Sequence, residues 1–422
     1  MTVVLDLAAR TDGRRSLLAA VTVLCLVGGP GAAYVIVGSQ IGLGDLLLVA
    51  AVALGLAIPP DRLATAMIPA WLFAPMSGWV LAVARGATCA LALGLVLRFA
   101  VGALRLRRSH AWLALFAAAL IISLLYPATT GPATTLPGYD LTGILAGLVV
   151  AAAAVAAPPD PAVAARAVAV AGAVASAIVL AGGDFDGGRL VGAGLNTNYV
   201  GAMLALACVA AAGLAWTARQ PGWLVVAAPS AFAVVQTQSR GALVAVAAGI
   251  GYLALRNRSW RQRALFVAAA ALLTVLVTDS LPALLINGRT ATELDANNAI
   301  RGEALRLAIQ IALENPLRGI GYGMFPLYAA GTSQVGIFIN THNEYARLAC
   351  EAGLPTAAIF GGLLLLAMRG RRTGDEAVLR AVVVVFAVSL LFGNFLSSMV
   401  VSVSFWLALG YLLAGARTPR PS

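Results

Sequence analysis

The sequence predicts an all-α integral membrane protein, a bundle of about 12–14 transmembrane helices carrying one large external loop. Three observations lead there. Hydrophobic residues make up 61% of the 422 positions and charged residues only 11%, whereas soluble domains are nearer a quarter charged. The apolar runs approach the roughly 20 residues that a helix needs to cross hydrocarbon, and they lack the in–out alternation of an outer-membrane barrel strand. Arginines gather where those runs end. Helices are the spanning element because they satisfy their own backbone polar groups.

Taken in order, the runs place spans near 16–37, 41–58, 64–84, 86–104, 111–127, 141–158, 162–182, 197–216, 222–238, 241–256, 264–284, 352–369, 377–394 and 396–414. Short neighbours among them are compatible with re-entrant pairs. Arg10, Arg14 and Arg15 precede the first run as they would a secretory signal. So many spans follow that an uncleaved first helix is expected. The densest basic connections are RLRR (105–108), RNRSWRQR (256–263) and RGRR (369–372), and the tail adds Arg417 and Arg420. All fall on one side with the N-terminus, which the positive-inside rule makes cytoplasmic.

The net charge of +11 comes from 28 basic residues that are all arginine. Placed at span ends, they serve orientation, and no nucleic-acid partner is inferred. Cys25, Cys89, Cys208 and Cys350 are scattered without paired metal-ligand spacing and read as buried free thiols.

The opposite, external side carries the polar material: GGDFDGGRLVGAGLNTN (182–198), the QTQSRGA junction (236–242) and a long insertion from 286 to 345. The insertion divides the chain into an N-terminal bundle (1–285), a loop region (286–345) and C-terminal helices (346–422). Within it, DANNAIRGEALRLAIQIALENP has Ile300, Ala304, Ala308 and Ile311 at helical spacing. It is expected to be an amphipathic helix lying on the bilayer or packed over the bundle, ending at Asn315-Pro316. LRGIGYGMF then has three alternating glycines, read as a mobile turn more readily than as a phosphate cradle.

Chemistry concentrates at THNEYARLACEAGL (341–354). Thr341 and Glu344 fit a capping box, and Arg347 and Glu351 fit an i,i+4 pair. Neither accounts for His342, expected in the first helical turn, where the helix dipole favours a neutral imidazole suited to general-base work. His110, beside the RLRR connection, reads as an ordinary interfacial histidine. Arg240 interrupts a stretch otherwise apolar for two helices, and a cation there needs a partner or a polar cavity. Arg189 stands in a glycine-rich loop after Asp184 and Asp186, either paired with one of them or facing the helix start at NTNYVG, whose free N–H groups receive anions. With Arg301 these arginines would grip a diphosphate through planar, permanently charged forks. Asn196, Asn198, Asn343, Tyr345 and Arg347 are secondary candidates. The combination points to group transfer from a diphosphate-linked donor, His342 taking the proton of the attacking hydroxyl. The arginines neutralise the leaving group, so neither metal nor cofactor is expected.

At RLVGAGLNTNYVG (189–201), TQSRGALVA (237–245), RGEALRLAIQIALENPLRGIGYGMF (301–325) and THNEYARLACEAGL (341–354) the chain resembles the O-antigen ligase/polymerase superfamily. The pieces occur in family order; the N-terminal half matches only in hydropathy and topology. The resemblance implies a C-type glycosyltransferase-like bundle in the bacterial inner membrane, both termini cytoplasmic, acting at the periplasmic face. It also implies a glycan donor on undecaprenyl pyrophosphate, Arg189 and Arg240 as pyrophosphate contacts, and His342 as the base for inverting attack. The first motif reads NTN where the family usually carries an Asn-Pro-Asn-like turn. Partners would be the lipid-linked donor, a lipid or glycan acceptor and the bilayer. A ligase passes the glycan to lipid A core, a polymerase of O-antigen, capsule or exopolysaccharide to another lipid-linked repeat, and relatives glycosylate proteins; the ligase-like description is favoured. A lipid-linked glycan flippase is the rival of another class, predicting dependence on the in-span acid Asp45 rather than on His342.

Overall fold

The computed structural model describes residues 56–125, 138–255, 291–369 and 374–415, with 50 and 52. The expected spans 16–37 and 264–284, most of 41–58, the connection 256–263, Cys25, Asp45, Arg417 and Arg420 lie outside the described residues.

The described chain is helical apart from one small hairpin. Its first helices are α1 (Pro60–Leu72), α2 (Gly78–Ala100), α3 (Arg108–Leu125), α4 (Gly138–Ala156) and α5 (Pro161–Gly182). The hairpin strands β1 (Phe185–Asp186) and β2 (Arg189–Leu190) follow. Then come α6 (Thr197–Ala218), α7 (Gly222–Gln236), α8 (Arg240–Leu255), α9 (Ala291–Glu314) and α10 (Phe325–Ala330). The last are α11 (Glu344–Ala352), α12 (Leu354–Ala367), α13 (Glu376–Ser389) and α14 (Met399–Leu413). Four of these, α2, α3, α5 and α6, are long and apolar enough to cross a membrane. The protein is a mostly helical membrane protein.

Local chemistry explains several boundaries. Asp160 caps α5, its carboxylate accepting from the N–H groups of Ala162 and Val163 ahead of Pro161 at the first helical position. Asn196 caps α6 in the same way, through Asn198 and Tyr199. The expected boundary between spans 64–84 and 86–104 falls inside α2. The break comes earlier, across a single 3₁₀ turn at Ala74–Met76, where Pro75 cannot continue α1. Cys89 also departs from expectation, lying on an exposed face of α2, whereas Cys208 and Cys350 are buried.

The core is built around α6, most of whose residues are buried and which packs against α5, α7, α8 and α13. Small residues bring α4 and α14 together. A Cβ at Gly410 would strike the Ala151 carbonyl, and one at Gly147 would strike Trp406. That is the close approach on which helix pairs in lipid depend, where no hydrophobic drive separates helix from solvent. A satellite core of Ala304, Leu307, Ala308, Ile311, Ile320, Phe325 and Cys350 joins α9 to α10 and α11. Of the two placements expected for the amphipathic helix, its apolar stripe takes the packed one, against α11. It begins at Ala291, ahead of the expected capping residues, and ends at Glu314 as expected. Because Cys350 belongs to this satellite core, the core reaches past the 345 boundary read from the sequence.

Contacts sort the connections into two ends. At one, Arg107 donates to the Ala414 carbonyl, Ser109 to Leu413, and Arg380 to Arg369. His110 accepts from the Arg107 N–H there and sits edge-on to Phe99. The basic connections 105–108 and 369 thus share an end. The other end holds the hairpin, the α7–α8 junction, the THNE segment and the α13–α14 connection.

Candidate active site

The first half of the site is built by a turn and a break. Gly187 and Gly188, with φ of 54° and 74°, make the two-residue turn between β1 and β2, the conformation that right-twisted hairpins favour. This directs Arg189 back over the bundle. Its Nε donates to the Thr237 carbonyl at 3.0 Å and its Nη2 meets Asn198 Oδ1 at 3.5 Å. The guanidinium therefore reaches the C-terminal end of α7, where the helix dipole welcomes a cation. Asn198 Oδ1 also accepts from Ser239 Oγ at 3.1 Å, tying the start of α6 to the α7–α8 junction. Thr197 opens α6 as a buried first residue beneath the Asn196 cap, so the NTN departure still yields a capped helix start.

At that junction Gln238 adopts φ 49° and the chain breaks between two apolar helices. Arg240 becomes the first residue of α8, half-buried. Among the described residues its side chain makes no hydrogen bond or ion pair. A guanidinium at a helix N-terminus adds to the positive end of the dipole rather than offsetting it. The placement suits an anion held jointly by the side chain and the free N–H groups.

The second half is the THNE segment, and here the structure corrects the sequence reading. The helix cap is Asn343, whose Oδ1 accepts from the Ala346 N–H, so Thr341 and Glu344 do not form a capping box. His342 precedes the cap with φ 52°, outside the first turn of α11. Thr341 Oγ1 instead accepts from Asn394 Nδ2 at 3.0 Å, and the His342 N–H donates to Asn394 Oδ1 at 3.0 Å. Glu344 is fully buried, accepting from the Leu396 N–H at 3.2 Å while its own N–H donates to the Leu390 carbonyl. The imidazole of His342 is held down to a pKa of about 4, by burial first and by the Arg301 guanidinium second. It is neutral at physiological pH, and Arg301 is close enough to act on it.

The two halves meet. Tyr199, in the first turn of α6, donates its hydroxyl to the Asn394 carbonyl at 2.8 Å and packs edge-on against Phe395 at 5.0 Å. Gly241, next to Arg240, lies so close to Phe392 that a Cβ would come within 2.6 Å of it. The segment LLFGNFLSS (390–398) thus touches the Arg240 helix, the Asn196–Tyr199 helix start and the His342 loop. Sequence reading missed Asn394, Tyr199 and Ser239. The one available signal was a polar break between two apolar runs, easily taken for a plain connector.

Three secondary candidates have side chains occupied by the fold. Asn343 caps α11. Tyr345 donates to the Ala387 carbonyl at 2.8 Å. Arg347, 3% exposed, pairs with Glu351 at 2.8 Å, lies 3.9 Å from Glu344 and stacks over Tyr322 at 4.7 Å. The glycine-rich turn after α9 is no open phosphate cradle. Glu351 already accepts from the N–H groups of Gly323 and Phe325, and the carbonyls of Cys350 and Glu351 accept from those of Ile320 and Gly321. An Asp-x-Asp pair, Asp184 and Asp186, lies exposed on the hairpin. Among the described residues no group of three or more His, Cys, Asp or Glu side chains gathers as a metal site would require.

Residues 224–361 match the family model for O-antigen ligase. Over that segment, about a third of the chain, the protein is similar to the O-antigen ligase family. No curated protein matches the chain. The matched segment runs from α7 into α12 and includes Arg240, Arg301 and His342, while Arg189 and Asn394 fall on either side of it. At this level the match supports a membrane enzyme of glycan transfer, of O-antigen ligase or polymerase type.

Proposed function

We propose that the protein transfers a glycan from an undecaprenyl-pyrophosphate-linked donor to an acceptor hydroxyl at the periplasmic face, ligase-like, with inversion and without a metal. The observation that carries this reading is a half-buried guanidinium, Arg240, at a helix N-terminus, sharing its supporting loop with a neutral buried imidazole. His342 accepts the proton of the acceptor hydroxyl as its oxygen attacks the anomeric carbon. The bond from that carbon to the diphosphate oxygen breaks, and the leaving diphosphate keeps the electron pair. A single in-line displacement inverts the centre. Arg240 and Arg301 neutralise the charge that develops, and Arg189 holds the helix start beside them. An imidazole with a pKa near 4 is a weak base in the empty site. A bound diphosphate offsets Arg301 and strengthens it when it is needed.

The test uses the purified full-length protein with a lipid-diphosphate glycan and candidate acceptors. His342→Ala, Arg240→Ala and Arg189→Ala are each expected to lower transfer by about 10²-fold or more, the usual cost of losing a base or an oxyanion donor. Undiminished transfer in all three overturns the proposal, and product mobility separates ligation from polymerisation.

A further inference from the structure

The α13–α14 connection presents a carboxamide to a strained histidine. His342 sits at φ 52°, a left-handed conformation that strains a residue bearing a side chain. Something must hold it there. The His342 N–H reaches Asn394 Oδ1 at 3.0 Å, and Asn394 Nδ2 donates to Thr341 Oγ1 at 3.0 Å, so one carboxamide spans the residue before and the residue itself. Thr341 Oγ1 also reaches the Asn343 carbonyl at 2.9 Å. Leu390 and Leu396, on either side of Asn394, bind the backbone and carboxylate of Glu344. Asn394 is itself anchored from the opposite side, its carbonyl taking the Tyr199 hydroxyl at 2.8 Å. The carboxamide serves both neighbours at once, accepting from the His342 N–H and donating to Thr341.

We infer that Asn394 is the positioning residue of the transfer reaction, locking the strained His342 backbone so that the imidazole is held in register with the arginine-bearing helix starts. The inference rests on the reading of His342 as the base. Asn394 touches no reacting atom; it acts through His342, and Tyr199 couples its loop to the helix that carries Asn196 and Asn198. Misplacing a catalytic group by about 1 Å costs on the order of 10²-fold in rate, while the donor's diphosphate contacts come from other residues.

The experiment measures kcat and donor KM in lipid nanodiscs for the full-length wild type, Asn394→Ala, Asn394→Asp, Tyr199→Phe and His342→Ala, at matched folded amounts. Asn394→Ala is expected to lower kcat by about 10²-fold with donor KM within about twofold. Asn394→Asp keeps the acceptor for the His342 N–H and loses the donor to Thr341, so it retains more activity than the alanine variant. It also moves the acid limb of the kcat–pH profile upward, because a carboxylate beside the imidazole favours its protonated form. Arg301 is the charge that the structure shows acting on His342, and the 390–398 connection brings no other titratable group. Wild-type kcat in Asn394→Ala overturns the inference while leaving His342 as base intact. Wild-type kcat in His342→Ala overturns the underlying reading and this inference with it. Should Asn394→Ala fail to fold, the aspartate and phenylalanine variants decide. An unshifted pH profile in Asn394→Asp together with unchanged kcat in Tyr199→Phe overturns the inference.

Discussion

At the scale of single residues, the proposed mechanism depends on an imidazole kept neutral. Burial and Arg301 hold His342 near 4 against an ordinary 6.5, so protonation disfavours both catalysis and folding. In kcat/KM, which reports the free enzyme, the limb due to His342 should lie near pH 4, with activity level in this respect down to about pH 5. In kcat, where bound diphosphate offsets Arg301, the limb should move upward. A kcat/KM limb at the ordinary histidine value would show that the imidazole is not buried beside Arg301. The same shift bears on stability. Above pH 6.5 the group contributes nothing. Between about 6.5 and 4 the unfolded chain binds the proton first, so stability falls as pH falls. His342 was legible in the sequence because a polar side chain at the lip of an apolar run is a local anomaly. Its left-handed backbone was not, since that conformation is imposed by Asn394, 52 residues away.

Among the elements, α11 shows how a short helix acquires an architectural role. Glu344, Arg347 and Glu351 line one side, buried, and each reaches a different neighbour: the α13–α14 connection, the Tyr322 ring and the glycine-rich turn. Arg347→Ala would leave the buried carboxylates of Glu344 and Glu351 without the cation beside them. Removing one partner of a buried pair typically costs about 3–5 kcal/mol. We therefore expect a lowered thermal midpoint and a faster-digested α9–α11 region, checked by thermal unfolding and limited proteolysis. A midpoint unchanged from wild type would mean that the three charges do not act as a clamp. The i,i+4 pair of Arg347 and Glu351 was readable from spacing alone. The capping box was not, because the sequence offers two polar residues within reach of the helix start, Thr341 and Asn343, and tertiary hydrogen bonds from Asn394 claim the first. Similarly, the start of α2 was misplaced because hydropathy does not register the Pro75 break, which backbone sterics dictate.

Over the whole molecule, the described basic connections, 105–108 and 369, lie at one end of the bundle and the arginine, asparagine and histidine cluster at the other. If the positive-inside rule governs, a cysteine replacing Asp186 should react with a membrane-impermeant maleimide from the periplasmic side of intact cells. One replacing Arg105 should react only after the membrane is opened. Equal labelling of both in intact cells would rule out this orientation. The chain's native Cys89, exposed on α2, serves as the background to subtract.

By itself the sequence determined the membrane class, most of the described helices and the polar segments from which the proposed site is drawn. These are local quantities: an apolar run reports its own burial, and a charge within one reports its own cost. Tertiary structure alone decided which polar groups meet. Tyr199 lies 195 residues from the Asn394 carbonyl that it binds, and Asn394 joins helix starts and a strained loop that no pattern along the chain relates. Hydrogen bonds between distant segments depend on where packing brings the backbone, and packing is settled only when all the helices are in place.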